Sequence, residues 1–434
     1  MSKDKNKTKN DVEWEKIFDD FNVLEKVEKN GIFEITSDDI KRYREPRLMT
    51  KFDHRINLPS IFCTNKLSIL PNSRGSYIIS DFKNYHKLES INEEFEYVKF
   101  PSNIQSIDIN DIFSETVAVN CAYITSILSD FLGEEILYPT IEGRMSSSTF
   151  DFKIESLKSE KIKTLTVKNS QIEIDGAYEG VESLALIEAK RDLSEDFLIR
   201  QLYYPFRLCK ENMSITKKIR PIFFIYSNGL FSLYEYEFSE WSNYNSVRLV
   251  KKKNYSIEDR EICKEDITNI LHKVEIIKES SEISFPQANN LARIINICEL
   301  LTENSLSRED ITMMYDFNAR QTSYYTDAGI YLGLIEKNNV KGIILYSLTS
   351  YGEKIMKLNY KEKQLAFCNS ILAHRVFNDA LKYWLKNGKI SVGIVAEEMK
   401  KSGLNRVKSD ETFKRRASTI KAWLEWVIGL TNTY

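Results

Sequence analysis

Asp175, Glu188 and Lys190 carry the strongest chemical signal in the sequence. They lie in QIEIDGAYEGVESLALIEAKR, residues 171–191. Ile172, Ile174 and Tyr178 alternate with polar residues, as on a strand, and Glu179-Gly180 supplies a turn. Val181 to Ala189 is nearly continuous apolar chain, apart from Glu182 and Ser183, until it ends in Glu188-Ala189-Lys190, as a buried strand requires. Side chains at i and i+2 of a strand share a face, so Glu188 and Lys190 point together. A hairpin about Glu179-Gly180 then brings Asp175 alongside Glu188 at a sheet edge. A single Glu-x-Lys more often makes a surface salt bridge than a catalytic group. Here an apolar strand delivers the charges to one place, which favours chemistry. Two hard oxygen ligands, completed by water and a phosphate oxygen, suit Mg²⁺. The metal would acidify a bound water, and Lys190 would orient that water or offset charge on phosphate oxygens.

Composition sets the frame for that site. The chain has 434 residues, 42% hydrophobic and 29% charged, enough for several cores and about two to four domains. A net charge of −2 gives no global sign of a nucleic-acid partner. The six cysteines are scattered without a CxxC, which excludes zinc-finger spacing and fits a reducing, cytoplasmic setting. The four histidines are isolated. The charged N-terminus has no apolar stretch behind it, so no secretory signal is expected, and no apolar run is long enough to span a membrane.

The elements that must position the site follow from periodicity. Residues 1–12 read as a disordered tail, and 13–110 as an N-terminal α+β region that opens with a helix from Val12 to Lys29. Leu67 to Phe82 reads as a hairpin with Arg74 at its tip. Residues 111–240 form a mixed α/β core. Its expected parts are a helix from Ile112 to Leu132, strands over 147–155 and 161–168, the strands of the opening stretch, a helix from Ser194 to Met213, and strands over 220–227 and 230–238. Residues 241–285 read as a connector with some helix. Helix, helix, helix, hairpin follows in 286–358, the order of a winged helix. A similar helical module is expected over 359–434.

Two basic runs stand out against the near-neutral whole. Lys41 to Arg55 holds six basic and two acidic residues, a local net of +4. Arg44, Arg47, Lys51 and Arg55, with Arg74, are candidate phosphate contacts. Lys400 to Lys421 holds eight basic and two acidic residues, a local net of +6. Asn318, Arg320, Gln321 and Tyr324 open a helix suited to the major groove, where Arg pairs with guanine and Asn or Gln with adenine. Lys414, Arg415 and Arg416 are the corresponding candidates in the last module.

The Asp175…Glu188-Ala189-Lys190 pattern, in helix–strands–helix–strand order, resembles the PD-(D/E)XK nuclease superfamily. The whole chain resembles a type II restriction endonuclease of that class. REPRLMTKFDHR (44–55), SETVAVNCAYITSILSDFLGE (114–134), IEAKRDLSEDFLIRQLYYPFR (187–207) and NARQTSYYTDAGIYLGLIE (318–336) carry the likeness. Ile174 stands where the family name has proline. The resemblance implies a PD-(D/E)XK-like core, with a mixed sheet flanked by helices, between an N-terminal α+β region and C-terminal winged-helix-like modules. It makes Asp175 and Glu188 ligands of Mg²⁺, with Glu115 as an added helix carboxylate, Lys190 the catalytic lysine, and Gln201 a catalytic glutamine on the following helix. The expected activity is Mg²⁺-dependent, sequence-specific cleavage of double-stranded DNA by a homodimer or transient dimer, with a cognate DNA methyltransferase as partner. The alternatives are a modification-dependent or repair/junction nuclease with the same core, or a non-catalytic winged-helix DNA-binding regulator.

Overall fold

The computed structural model describes residues 7–89, 95–212, 214–257, 261–279, 283–315, 317–401 and 410–431. Helix α1 (Lys9–Asp20) starts inside the stretch expected to be a disordered tail. Thr8 and Asp11 cap it reciprocally, which satisfies two first-turn N–H groups. The single helix expected from Val12 to Lys29 is two, because Asn22 takes a left-handed φ of 50° before α2 (Val23–Asn30). Trp14, Ile17 and Phe18 bury against Phe62 and Ile79. The expected hairpin is present as Ser68–Pro71 and Ser76–Ser80, and Phe33–Thr36 adds a third strand to it.

The expected helix from Ile112 to Leu132 is also divided, into α3 (Glu115–Ile124) and α4 (Ile127–Leu132). Ser126 adopts a φ of 61° between them, and the Thr125 hydroxyl bonds back to the Cys121 carbonyl at 2.7 Å. The central sheet has seven strands: β1 (Glu96–Tyr97), β2 (Tyr138–Ser146), β3 (Gln171–Glu179), β4 (Ser183–Lys190), β5 (Lys218–Ser227), β6 (Leu230–Phe238) and β7 (Val247–Ser256). Their spatial order is β1-β7-β6-β5-β4-β3-β2. The pairs β4–β5 and β7–β1 are parallel and the others antiparallel. A parallel pair needs a crossover. Helix α5 (Arg200–Glu211) supplies it between β4 and β5. The helix expected from Ser194 therefore begins later, because Asp196–Leu198 is spent as a short strand against Tyr85–Lys87. Thr149–Glu155 and Ile162–Lys168 pair as a separate hairpin.

Strand β4 is buried on both faces. Ala185, Ile187 and Ala189 face α3 and α4, while Leu184 and Leu186 pack with Cys209 of α5. Each buried Leu or Ile contributes about 1.5–3 kcal/mol. Because β3 and β5 flank β4, its terminal charges lie at a strand end within the sheet, not at the sheet edge expected from the hairpin alone.

The stretch 241–285, expected as a connector with some helix, carries α6 (Lys264–Lys273) and also the strand β7. Then come α7 (Leu291–Leu300), α8 (Arg308–Met314) and α9 (Ala319–Tyr331). A three-stranded sheet follows in the order β8-β10-β9: β8 (Leu306–Ser307), β9 (Ile335–Val340) and β10 (Ile343–Leu348). Among the described residues no strand follows Leu348, so the last module has helices without the hairpin that a second winged helix would need. Its final helix, α10 (Asp410–Gly429), shares one core with α7, through Ile294, Phe377 and Trp423. No helix among the described residues is long and apolar enough to cross a membrane.

Candidate active site

The turn between β3 and β4 sets the register of the two strands that carry the charges. Glu134, just beyond α4, accepts from the N–H groups of Val181 (3.0 Å) and Glu182 (3.2 Å) and from the Ser183 hydroxyl (2.8 Å). These bonds outweigh burial and hold its carboxyl below the ordinary range. Gly180 leaves room for this carboxylate: a Cβ there would stand 2.5 Å from it and push it off the turn. The ladder that follows pairs Leu184 with Glu179 and Ile187 with Gly176. Beyond that pair the two backbones part, and the Asp175 carboxylate takes over by accepting from the Ala189 N–H at 2.7 Å.

Glu188 lies at the end of β4, where it meets the Lys190 ammonium and accepts from Gln201 Nε2 at 2.7 Å. Lys190 also donates to the Ala189 carbonyl at 3.1 Å. Gln201 reaches the site because α5 starts at Arg200, directly after the short strand Asp196–Leu198. Asp175, Glu188, Lys190 and Gln201 thus form one connected group. Glu115, in the first turn of α3, lies within electrostatic reach of Lys190 and Asp175.

Burial pushes the Glu188 carboxyl up to about 8; Lys190 opposes the shift, while Asp175 and Asp53 add to it. Burial raises Asp175 as well, against Lys190 and the Ala189 N–H, and it raises Glu115. Burial by itself would lower Lys190, but Glu188, Glu115, Asp53 and Asp175 together hold it well above the ordinary lysine range. The site is therefore one ammonium amid four carboxyl groups.

Among the described residues no group of three or more His, Cys, Asp or Glu is arranged to hold a metal ion. Mg²⁺ commonly takes only one or two carboxylates, with water and substrate oxygens completing its shell. Asp175 and Glu188 fit that requirement. Gln201 Oε1, buried with no hydrogen-bond partner, leaves a free acceptor beside them.

The residues expected to contact DNA fall into two groups. Arg44 is turned inward, bonded to Glu309 of α8 at 2.7 Å and to Asn10 at 2.7 Å. Asn318 and Gln321 cap the start of α9 reciprocally. Arg416 is half-buried beside Tyr324, and the Gln287 amide oxygen, turned toward it, accepts from its guanidinium at 2.7 and 2.9 Å. By contrast Arg47, Lys51, Arg55, Arg74, Lys414 and Arg415 are exposed. Arg320 is exposed too, with Nε 2.6 Å from the Tyr324 hydroxyl. Residues 402–409 of the last basic run lie outside the described residues.

Two features have no signature in the sequence. Asp53 reaches the site from the N-terminal unit, and no spacing in KFDHR links it to residues more than a hundred positions away. Asn296 of α7 pins the chain just beyond Lys190, donating to the Arg191 carbonyl at 2.7 Å and accepting from the Leu193 N–H at 3.2 Å.

Residues 11–79, 80–256 and 293–432 match the models of three domains of unknown function, DUF6996, DUF6997 and DUF7226 respectively. No curated protein and no solved structure matches the chain. Asp175, Glu188, Lys190, Gln201 and Glu115 all fall within the second span, Asp53 within the first and Asn296 within the third.

Proposed function

We propose that the chain is a Mg²⁺-dependent endonuclease of the PD-(D/E)XK type that hydrolyses phosphodiester bonds of double-stranded DNA at a specific sequence. The observation that carries this reading is the connected group Asp175–Ala189–Lys190–Glu188–Gln201 at the end of β4. Asp175 and Glu188 would hold the metal, which when bound supplies an acidified water and offsets charge on the phosphoryl oxygens. Lys190, charged and held by its carboxylates, donates to a phosphoryl oxygen as negative charge builds in the transition state. Gln201 orients Glu188. The helices α7–α9 with the β9–β10 hairpin act as a winged helix, and Arg320, Lys414 and Arg415 supply phosphate contacts. One site per chain calls for two chains to cut both strands, and a matching methyltransferase protects host DNA.

The test is incubation of the full chain with mixed-sequence duplex DNA, with Mg²⁺ or EDTA, beside Lys190→Ala. Discrete fragments are expected only with Mg²⁺ and the unaltered chain. Binding without cleavage by both forms would sink the nuclease reading. Cutting confined to methylated or branched duplexes would replace sequence-specific restriction with a modification-dependent or junction nuclease.

A further inference from the structure

The charge of Lys41 to Arg55 predicts an outward-facing basic surface, yet its last part is tied down against the site. Phe52 is buried, and its carbonyl accepts from the Tyr85 hydroxyl at 2.8 Å. His54 is buried between two carboxylate-bearing residues. Its Nε2 is 3.1 Å from Asp192 Oδ2, and its Nδ1 is 2.8 Å from the Asp196 carbonyl. The Arg55 N–H donates to both Asp196 carboxylate oxygens at 3.3 Å. Asp192 follows Lys190 by two positions, and Asp196 opens the strand leading to α5. His54 and Arg55, the two residues that follow Asp53, are therefore fixed to the segment joining Lys190 to Gln201. The Asp53 carboxylate is left among four cationic or imidazole groups: Lys51 at 3.4 Å, then Lys190, His54 and Arg200.

We propose that Asp53 is a positioning residue of the cleavage site, supplied by the N-terminal unit, which together with Glu188 fixes the Lys190 ammonium. This rests on the nuclease reading above. The physical need is plain. A lysine stem is flexible and carries roughly 2 kcal/mol of rotamer entropy. Glu188, two residues away on the same strand, can only draw the ammonium back along β4. A carboxylate from a separate unit gives a second anchor, and the site becomes complete only when residues 11–79 dock on residues 80–256. In the competing account Asp53 is merely the counter-ion of Lys51.

A double-mutant cycle on thermal unfolding of the full chain separates the two accounts. Asp53→Asn in the otherwise unaltered chain removes an attraction for Lys190 and should lower Tm. In a Lys190→Met background that attraction is already gone, so the same change should lower Tm by less or not at all. Additive Tm shifts overturn the proposal. In single-turnover cleavage of duplex DNA with Mg²⁺, Asp53→Asn should slow the rate constant about tenfold, equivalent to about 1.4 kcal/mol of barrier, with duplex affinity unchanged. Asp53→Glu should recover most of that rate. Weaker duplex binding at an unchanged rate constant also overturns the proposal, since it would make the segment a phosphate contact. Should the unaltered chain cut no duplex while the Tm shifts remain non-additive, the Asp53–Lys190 pairing stands and the nuclease reading falls alone.

Discussion

A buried lysine without partners sheds its proton; Lys190 keeps its own because carboxylates from four separate segments surround it. The same crowding explains why Glu188 resists ionisation: burial and two neighbouring acids outweigh the one ammonium. Gln201 is the remaining support, since its amide N–H is the other donor to Glu188 Oε1. Gln201→Leu keeps the volume and removes that bond. Leaving one partner of a buried hydrogen bond unsatisfied costs about 1–3 kcal/mol. Single-turnover cleavage should therefore slow by about 10- to 100-fold, with the circular dichroism spectrum unchanged. An unchanged rate would remove Gln201 from the machinery. Glu188, Lys190 and Asp175 are legible in the sequence because one hairpin places them, and strand periodicity is a local property. Asp53 is not, because only docking of a distant segment brings it there.

At the scale of elements, the β3–β4 turn decides which side chains meet. A strand slipped by one residue turns its whole set of side chains to the other face, which would carry Glu188 away from Gln201. The Glu134 carboxylate locks that turn through two backbone N–H groups and one hydroxyl. Glu134→Ala leaves the buried Ser183 hydroxyl and two part-buried N–H groups without their acceptor, at about 1–3 kcal/mol. We expect a lower Tm and a loss of cleavage larger than the stability loss accounts for. Hydrogen exchange at Val181 and Glu182 should accelerate in parallel; protection there as in the unaltered chain would dismiss Glu134 as the lock. Periodicity located α1, α3, α5 and α9, but it started α1 late and ran the helices over 12–29, 112–132 and 194–213 past their true ends. Asn22 and Ser126 break helices through left-handed backbone, which Asn tolerates better than most residues and Ser does not, so periodicity alone runs through both. The start of α5 was set by pairing of Asp196–Leu198 with a strand over a hundred residues earlier.

Across the whole molecule, the three matched spans are joined through polar contacts around the site. Asn57 Nδ2 of the first donates to the carbonyls of Thr312 and Tyr315 in the third, each at 2.9 Å. Arg44 reaches Glu309 across the same boundary, and Asn296 grips the chain beyond Lys190. Two arginines that look alike in composition should therefore behave differently. Arg44→Ala breaks a partly buried ion pair and should lower Tm by a few degrees, without altering the salt dependence of DNA binding. Arg415→Ala should leave Tm unchanged and reduce the slope of log affinity against log salt by about 0.9. The opposite pattern would exchange their roles. The sequence by itself determined the mixed α/β class of the middle region, the helical C-terminal region with its hairpin, and the pairing of Asp175 with Glu188 and Lys190. These follow from residue type and spacing within a few turns or one hairpin. Only the tertiary structure decided that Arg44 faces inward, that β4 lies inside the sheet, and that Asp53 joins the charged group. Each of those depends on which distant surfaces bury one another, and no local pattern encodes that choice.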